Sequence, residues 1–269
     1  MNALGLIDAE DAGCAAKLEP VLVARLLPPG DPVDVERILQ DVYPPEGLNA
    51  ERPHVIASFI SSVNGRATLD GRSARLAPPG GGADREIFRG LRGVCDAIMV
   101  GTGTLREERY GRPGRRRTLR EFRASRGLAE EPKVIVVSRS LDLPVQIPLF
   151  RDPATEILLF TWSTAPVPSP GAQISVVRMD PADMSLASVL RAARERFGIR
   201  SIVFEGGPRL FGALLTEDLV DELFLTIAPV FAGGDELPLT RSGHGARSRP
   251  MHLVSVLSHD DYLFLRYAR

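Results

Sequence analysis

The residues best placed to do chemistry are Glu205-Gly206-Gly207-Pro208, which follow the short apolar run Ser201–Phe204. Ser201 to Phe204 reads as a buried strand. Pro208 suits the first position of a helix, and Leu210, Phe211, Leu214 and Leu215 recur at helical spacing after it. A strand, a side-chain-free turn and a helix N-terminus offer bare backbone, unpaired N–H groups and partial positive charge. The guest they suit is a phosphate or pyrophosphate. A second turn, Gly101-Thr102-Gly103-Thr104, follows the apolar run Asp96–Val100 and repeats this logic. In an open α/β sheet ligands sit at the carboxyl ends of strands, so two such turns can grip one ligand. Neither turn is a GxGxxG fingerprint, and each is also compatible with a plain tight turn. A third strand end carries Ser138-Arg139-Ser140, two hydroxyls and a guanidinium, which suit the 2′-phosphate of NADP. An exposed polar loop is the alternative there.

Nine arginines lie between Arg106 and Arg126, opposed by Glu107, Glu108 and Glu121. Gly111, Pro113 and Gly114 interrupt any continuous helix, which places Arg106, Arg109, Arg112 and Arg115 on a loop. A solvated face is the ordinary reading of such a run; an anionic substrate comes next. Tyr110 and Phe122 are the two aromatic residues in the run, too few for the interleaving that single-stranded nucleic acid would require. His54, His244, His252 and His259 form no HExxH or HxE pattern, so no metal site is expected, and no GxSxG is present.

These sites need a scaffold that brings strand ends together. The 269 residues are 44% hydrophobic and 25% charged with net charge −1, the composition of an ordinary globular protein and not of a general nucleic-acid binder. Cys14 and Cys95 support neither a disulfide framework nor a zinc site. No 18-residue apolar run predicts a membrane span. Asp8, Glu10 and Asp11 stand where a signal peptide needs basic residues, so the cytoplasm is the expected compartment. Residues 1–52 are too few for a domain and are expected to pack on the body as an extension, with a short helix over 33–42. The body, residues 53–269, reads as strands at 54–61, 96–100, 133–137, 156–161, 174–177, 201–204 and 222–230, with helices at 83–92 and 186–197. Two further strands, near 252–257 and 262–267, follow each other directly. This predicts an α/β fold, a mostly parallel sheet with an antiparallel C-terminal edge. The apolar C-terminal strands are expected to leave a sheet edge that a homodimer would hide.

Taken together, IASFISSVNGRAT (56–68), DREIFRGLRGVCDAIMVGTGTLREERYG (84–111), VIVVS (134–138) and VFEGGPRLFGALL with LVDELFLTIAPVFAGG (203–234) resemble the reductase domain of riboflavin biosynthesis. The resemblance implies a dihydrofolate reductase-like fold and an NADPH-dependent reduction of a ribosyl group on a phosphoribosylamino-pyrimidine. It implies that Ile60 offers backbone to the nicotinamide, that Thr104, Glu108 and Ser138 lie on the cofactor, and that Gly207 to Ala213 cradle its pyrophosphate. Arg92 and Glu205 would contact substrate, and Arg112 and Arg115 would hold its phosphate. The cofactor candidates are thus Ile60, Gly101, Thr102, Gly103, Thr104, Glu108, Ser138, Arg139, Gly206, Gly207, Pro208, Arg209, Leu210 and Phe211. The substrate candidates are Asn64, Arg92, Arg112, Arg115 and Glu205, with Glu205 also the candidate proton donor. A cis Gly206–Gly207 peptide is expected on the same ground. The chain departs from the family at Ser62-Val63-Asn64-Gly65 (usually SLDG), at 108–115 (usually DDPxLTxR) and at 77–82 (usually with Ser and Trp). These segments line the substrate side. Reduction of a dihydropterin and non-catalytic NADPH binding are therefore the competing readings.

Overall fold

The computed structural model describes residues 21–35, 39, 50–78, 81–168, 170–241 and 248–269. Residues 1–20 and most of the helix expected over 33–42 lie outside these; Val33 and Asp34 belong to a strand. Eleven strands form one sheet: β1 (Leu22–Leu27), β2 (Pro29–Asp34), β3 (His54–Ser62), β4 (Ala97–Gly101), β5 (Lys133–Val137), β6 (Glu156–Thr161), β7 (Gln173–Arg178), β8 (Ser201–Phe204), β9 (Glu222–Ala228), β10 (His252–His259) and β11 (Tyr262–Ala268). Their order is β2-β1-β10-β11-β9-β3-β8-β4-β5-β6-β7. From β9 to β7 every pairing is parallel, and from β9 to β2 every pairing is antiparallel.

The helices are α1 (Gly82–Val94), α2 (Thr102–Glu108), α3 (Arg117–Ser125), α4 (Pro148–Arg151), α5 (Leu186–Phe197) and α6 (Pro208–Thr216). Strand β4 is apolar and β8 is apolar after Ser201, because both of their faces are covered. On one face α1 places Ala83, Ile87, Leu91 and Val94 against Ile56, Ile98, Val203 and Phe224. On the other, α5 and α6 place Val189, Leu190, Phe211 and Leu214 against Val55, Ala57, Ile202 and Phe204. Strand β9 alternates buried and half-buried residues, as expected where only one face is fully covered.

The structure corrects two expectations about the chain's ends and loops. The β1–β2 hairpin pairs with β10, so the C-terminal edge expected to invite self-association is already covered. On this side the sheet ends at β2, whose outer backbone groups pair with no strand among the described residues. Arg106 lies on α2 and not on a loop, because Gly111 and Pro113 break the chain only after that helix has ended.

At the amino end of the parallel strands a charge network ties β3, β9 and β11 together. Arg52 grips Asp221 through two 2.7 Å bonds. Glu222 accepts from His54 Nε2 at 3.0 Å and from Arg266 Nε at 2.7 Å. Burial pushes the Glu222 carboxyl up, but the bonds from His54 and Arg266 outweigh it and leave its pKa below the ordinary value. A depressed carboxylate stabilises the fold above its unfolded pKa, and that contribution disappears as pH falls through the folded value. Glu222→Gln is therefore expected to cost about 1.5–3 kcal/mol at neutral pH and less in acid. Urea denaturation at both pH values checks this; an equal cost at both would contradict it.

Candidate active site

The two glycine turns meet at the carboxyl ends of β4 and β8. Gly101 N–H donates to Gly206 O at 3.0 Å, and Glu205 N–H donates to Met99 O at 2.9 Å. Gly206 and Gly207 have φ of 119° and 100°, which L side chains rarely adopt, and Gly207 is the residue before α6. Their peptide is trans, not cis as expected; the two positive φ angles make the reversal between strand and helix. Beneath the turn, Phe211 packs on Phe59 with ring centroids 4.4 Å apart, and Phe59 lies 5.8 Å from Phe204. Pro208 occupies the first turn of α6, Arg209 is exposed, and Leu210 is half-buried.

Thr104 joins this turn, since its Oγ1 lies 3.6 Å from where a Cβ on Gly206 or Gly207 would be. A Cβ on Gly103 would meet nothing within 4 Å. No side chain caps α2 or α6, so Thr102 begins its helix as an ordinary residue and the first N–H groups of α6 lack intrahelical partners. Ser138 is buried just past β5, its N–H donating to Phe160 O, and Arg139 is exposed beside it. Ile60 is half-buried on β3, level with Thr226 of β9.

Glu205 is fully enclosed, with its side chain 0% exposed. Both its oxygens accept from Arg92 of α1, at 2.6 Å from Nε and 2.7 Å from Nη2. Burial works against the Arg92 charge, yet the charge and bonds of Glu205 hold its pKa above the ordinary value. The guanidinium lies 4.4 Å from the Phe88 ring centroid and 5.5 Å from that of Tyr110. Burial and the adjacent Glu205 charge raise the Tyr110 hydroxyl's pKa well above its usual value. Sequence reading missed Tyr110, Phe88 and the carboxyl of Asp84 in the first turn of α1. Tyr110 stands inside the departure from the usual DDPxLTxR segment, and that departure was the only signal for it.

Other candidates are spent on the protein itself. Asn64 accepts from Ser62 Oγ and Ala232 N and donates to Ala232 O, tying the β3 turn to the segment after β9. Glu108 accepts from Ser73 N at 2.9 Å and Ser73 Oγ at 2.8 Å. The structure does not bring Arg112 to the site. Its Nε donates to Glu131 at 2.8 Å, Asp152 stands 3.9 Å away, and both carboxylates precede strands, β5 and β6, at the amino end of the sheet. Arg115 follows on the same loop, exposed, before α3 begins. Opposite charge captured Arg112 at the nearer end of the sheet.

Joined glycine turns at the carboxyl ends of parallel strands, next to a helix N-terminus and a buried ion pair, define an open α/β protein, a class whose ligands sit at strand carboxyl ends. Comparison with known proteins agrees with this class. The chain belongs to the RibD C-terminal domain family, whose profile matches residues 53–263. It is similar to the 2,5-diamino-6-ribosylamino-4(3H)-pyrimidinone 5′-phosphate reductases of Archaeoglobus fulgidus, at 27% identity over 71% of this chain and 87% of that one. The enzyme of the same name from Methanothermobacter thermautotrophicus is 29% identical over 72% of this chain and 86% of its own. Among solved structures, a pyrimidine reductase-like protein from Corynebacterium diphtheriae superposes with a TM-score of 0.68 at 27% identity, covering 88% of this chain and 98% of that one.

Proposed function

We propose that this chain is an NADPH-dependent reductase that delivers hydride to the ribosyl C1 of a phosphoribosylamino-pyrimidine. The observation that carries the reading is the pair of glycine turns joined from Gly101 to Gly206 beside the enclosed Arg92–Glu205 pair. The substrate class rests on what the similar reductases are named for. A nicotinamide dinucleotide fits the residues present, because Gly103, Gly206 and Gly207 leave bare backbone next to the uncapped start of α6. That group, when bound, supplies the hydride. Gly206 through Phe211 would hold its pyrophosphate, Ile60 would offer backbone to its nicotinamide, and Ser138 with Arg139 would bind a 2′-phosphate. Arg92 and Glu205 hold fixed opposite charges beside the substrate region. Both Glu205 oxygens are engaged by a guanidinium that does not deprotonate, so Glu205 holds position and would have to leave Arg92 to take up and deliver a proton.

Reduced-cofactor oxidation by the purified protein tests the reading, with the diaminopyrimidinone phosphate, 5-amino-6-(5-phosphoribosylamino)uracil and dihydrofolate as separate substrates. Turnover of a pyrimidine is expected; turnover of dihydrofolate alone would overturn it. NADPH is expected to bind more tightly than NADH by about tenfold, the lower end for a charge-assisted bond because Arg139 is exposed. Arg139→Ala should erase most of that difference. Equal affinities in the wild type, titrated by fluorescence, would sink the assignment.

A further inference from the structure

We propose that the segment after β9 is a strap along the cofactor groove, and that its last two residues, Thr240 and Arg241, bind the cofactor's diphosphate. Thr240 would donate its hydroxyl and Arg241 would supply the counter-cation. The proposal rests on the dinucleotide reading above and extends it to residues outside the glycine turns. Strand β9 ends at Ala228, level with Ser62 of β3. From there the chain is stitched to the turn after β3. Val63 N–H donates to Val230 O at 3.0 Å, and Ala67 N–H donates to Leu237 O at 2.7 Å. Asn64 exchanges bonds with the backbone of Ala232. Thr68 Oγ1 accepts from Leu237 N at 3.0 Å and donates to Glu236. The segment then reaches α6, where Arg241 N–H donates to Pro208 O at 2.9 Å. It therefore runs from the carboxyl ends of β3 and β9 to the helix that follows β8, where the glycine turns meet.

Two groups at the end of the strap are not used by the fold. Thr240 Oγ1 is enclosed and bonds to nothing among the described residues. Buried polar groups are ordinarily paired, so this hydroxyl calls for a partner. The Arg241 side chain is exposed, and no carboxylate pairs with it among the described residues. Thr68 shows the contrast, since its hydroxyl on the same strap is satisfied from both sides.

Pro208 begins α6, so the contact from Arg241 lies within one helical turn, about 5.4 Å, of the N–H groups that lack intrahelical partners. A dinucleotide's diphosphate carries a charge on each phosphate, and a helix start offers only partial positive charge. A guanidinium matches phosphate oxygens bidentately and supplies the full charge that the backbone lacks. A hydroxyl adds one further donor.

The test titrates NADPH and, separately, adenosine 2′-phosphate into wild type and variants by calorimetry. Adenosine 2′-phosphate has no diphosphate and reports the other end of the cofactor. Arg241→Ala is expected to weaken NADPH by roughly tenfold and to leave adenosine 2′-phosphate unchanged. Its NADPH affinity should also depend less on salt than that of wild type. Arg241→Lys keeps the charge and should recover part of the loss. Thr240→Val should weaken NADPH by about fivefold and yet raise the urea midpoint of the cofactor-free protein, because an unpaired buried hydroxyl becomes a methyl. A hydroxyl with a purely structural role would lower that midpoint. Thr240→Ser should bind NADPH as wild type does. Unchanged NADPH affinity in Arg241→Ala or Thr240→Val, or equal losses for the two ligands, would overturn the proposal and leave the reductase reading standing. A wild type that binds no NADPH would overturn both. A wild type that binds NADPH but reduces no pyrimidine would sink the reductase reading alone, and the affinities would still decide the roles of Thr240 and Arg241.

Discussion

Replacing Arg92 with methionine is expected to cost about 3–5 kcal/mol of stability and to reduce turnover by roughly two orders of magnitude or more. The reason is the partner left behind. Glu205 has a fully enclosed side chain whose two oxygens both depend on Arg92. Without the guanidinium that carboxylate keeps the Tyr110 hydroxyl beside it but no counter-charge, so it must stay charged in an enclosed place or take up a proton, and both states cost free energy. Pairing Arg92→Met with Glu205→Gln should restore most of the stability, because a neutral group of similar size needs no counter-charge. Turnover should not return, since both site charges are gone. Urea denaturation and kcat/KM on the two single variants and the double give the cycle. A double variant no more stable than Arg92→Met would mean that the pair is not the source of the cost.

Arg123→Met is expected to destabilise the fold by about 3–5 kcal/mol, an effect as large as any core truncation. Arg123 is 0% exposed, although it belongs to a run of arginines that reads as a solvated face. Its Nε donates to Ala129 O at 2.8 Å, and its Nη1 donates to Arg92 O and Cys95 O at 2.6 Å each. Two of these carbonyls close the last turn of α1, where helix geometry leaves carbonyls without partners. Each buried carbonyl stripped of its donor costs about 1–3 kcal/mol. The exposed neighbour Arg117 makes only an i,i+4 contact of 3.5 Å to Glu121, a pair worth about 0.3–0.5 kcal/mol. Thermal or urea denaturation of Arg123→Met and Arg117→Met separates the two roles; equal losses would refute the structural role of Arg123.

These two arginines mark the line between what is local and what is not. The alternation in β9, the apolar runs of β4, β5, β6 and β8, and the spacing of α5 and α6 follow from contacts of near neighbours along the chain, so their positions are legible in sequence. The same holds for the strand–glycine–helix units at Gly101 and Gly207, because the turn, the missing side chains and the helix start are contiguous residues. That these units sit side by side follows from strand order, for which the α/β alternation is a sound guide. The partners of charged side chains are another matter. Arg92 and Glu205 are 113 residues apart in sequence and Arg112 and Glu131 only 19, yet nothing in residue type says that these are the pairs that form. Tertiary structure decided it. Packing α1 across β8 carried Arg92 to the strand's carboxyl end, while the loop after α2 turned Arg112 towards the amino end, where Glu131 was within reach. Hydrophobic period and backbone sterics are encoded over a few residues; charge pairing depends on which strand ends and helix faces the completed sheet brings within 3 Å or so of each other.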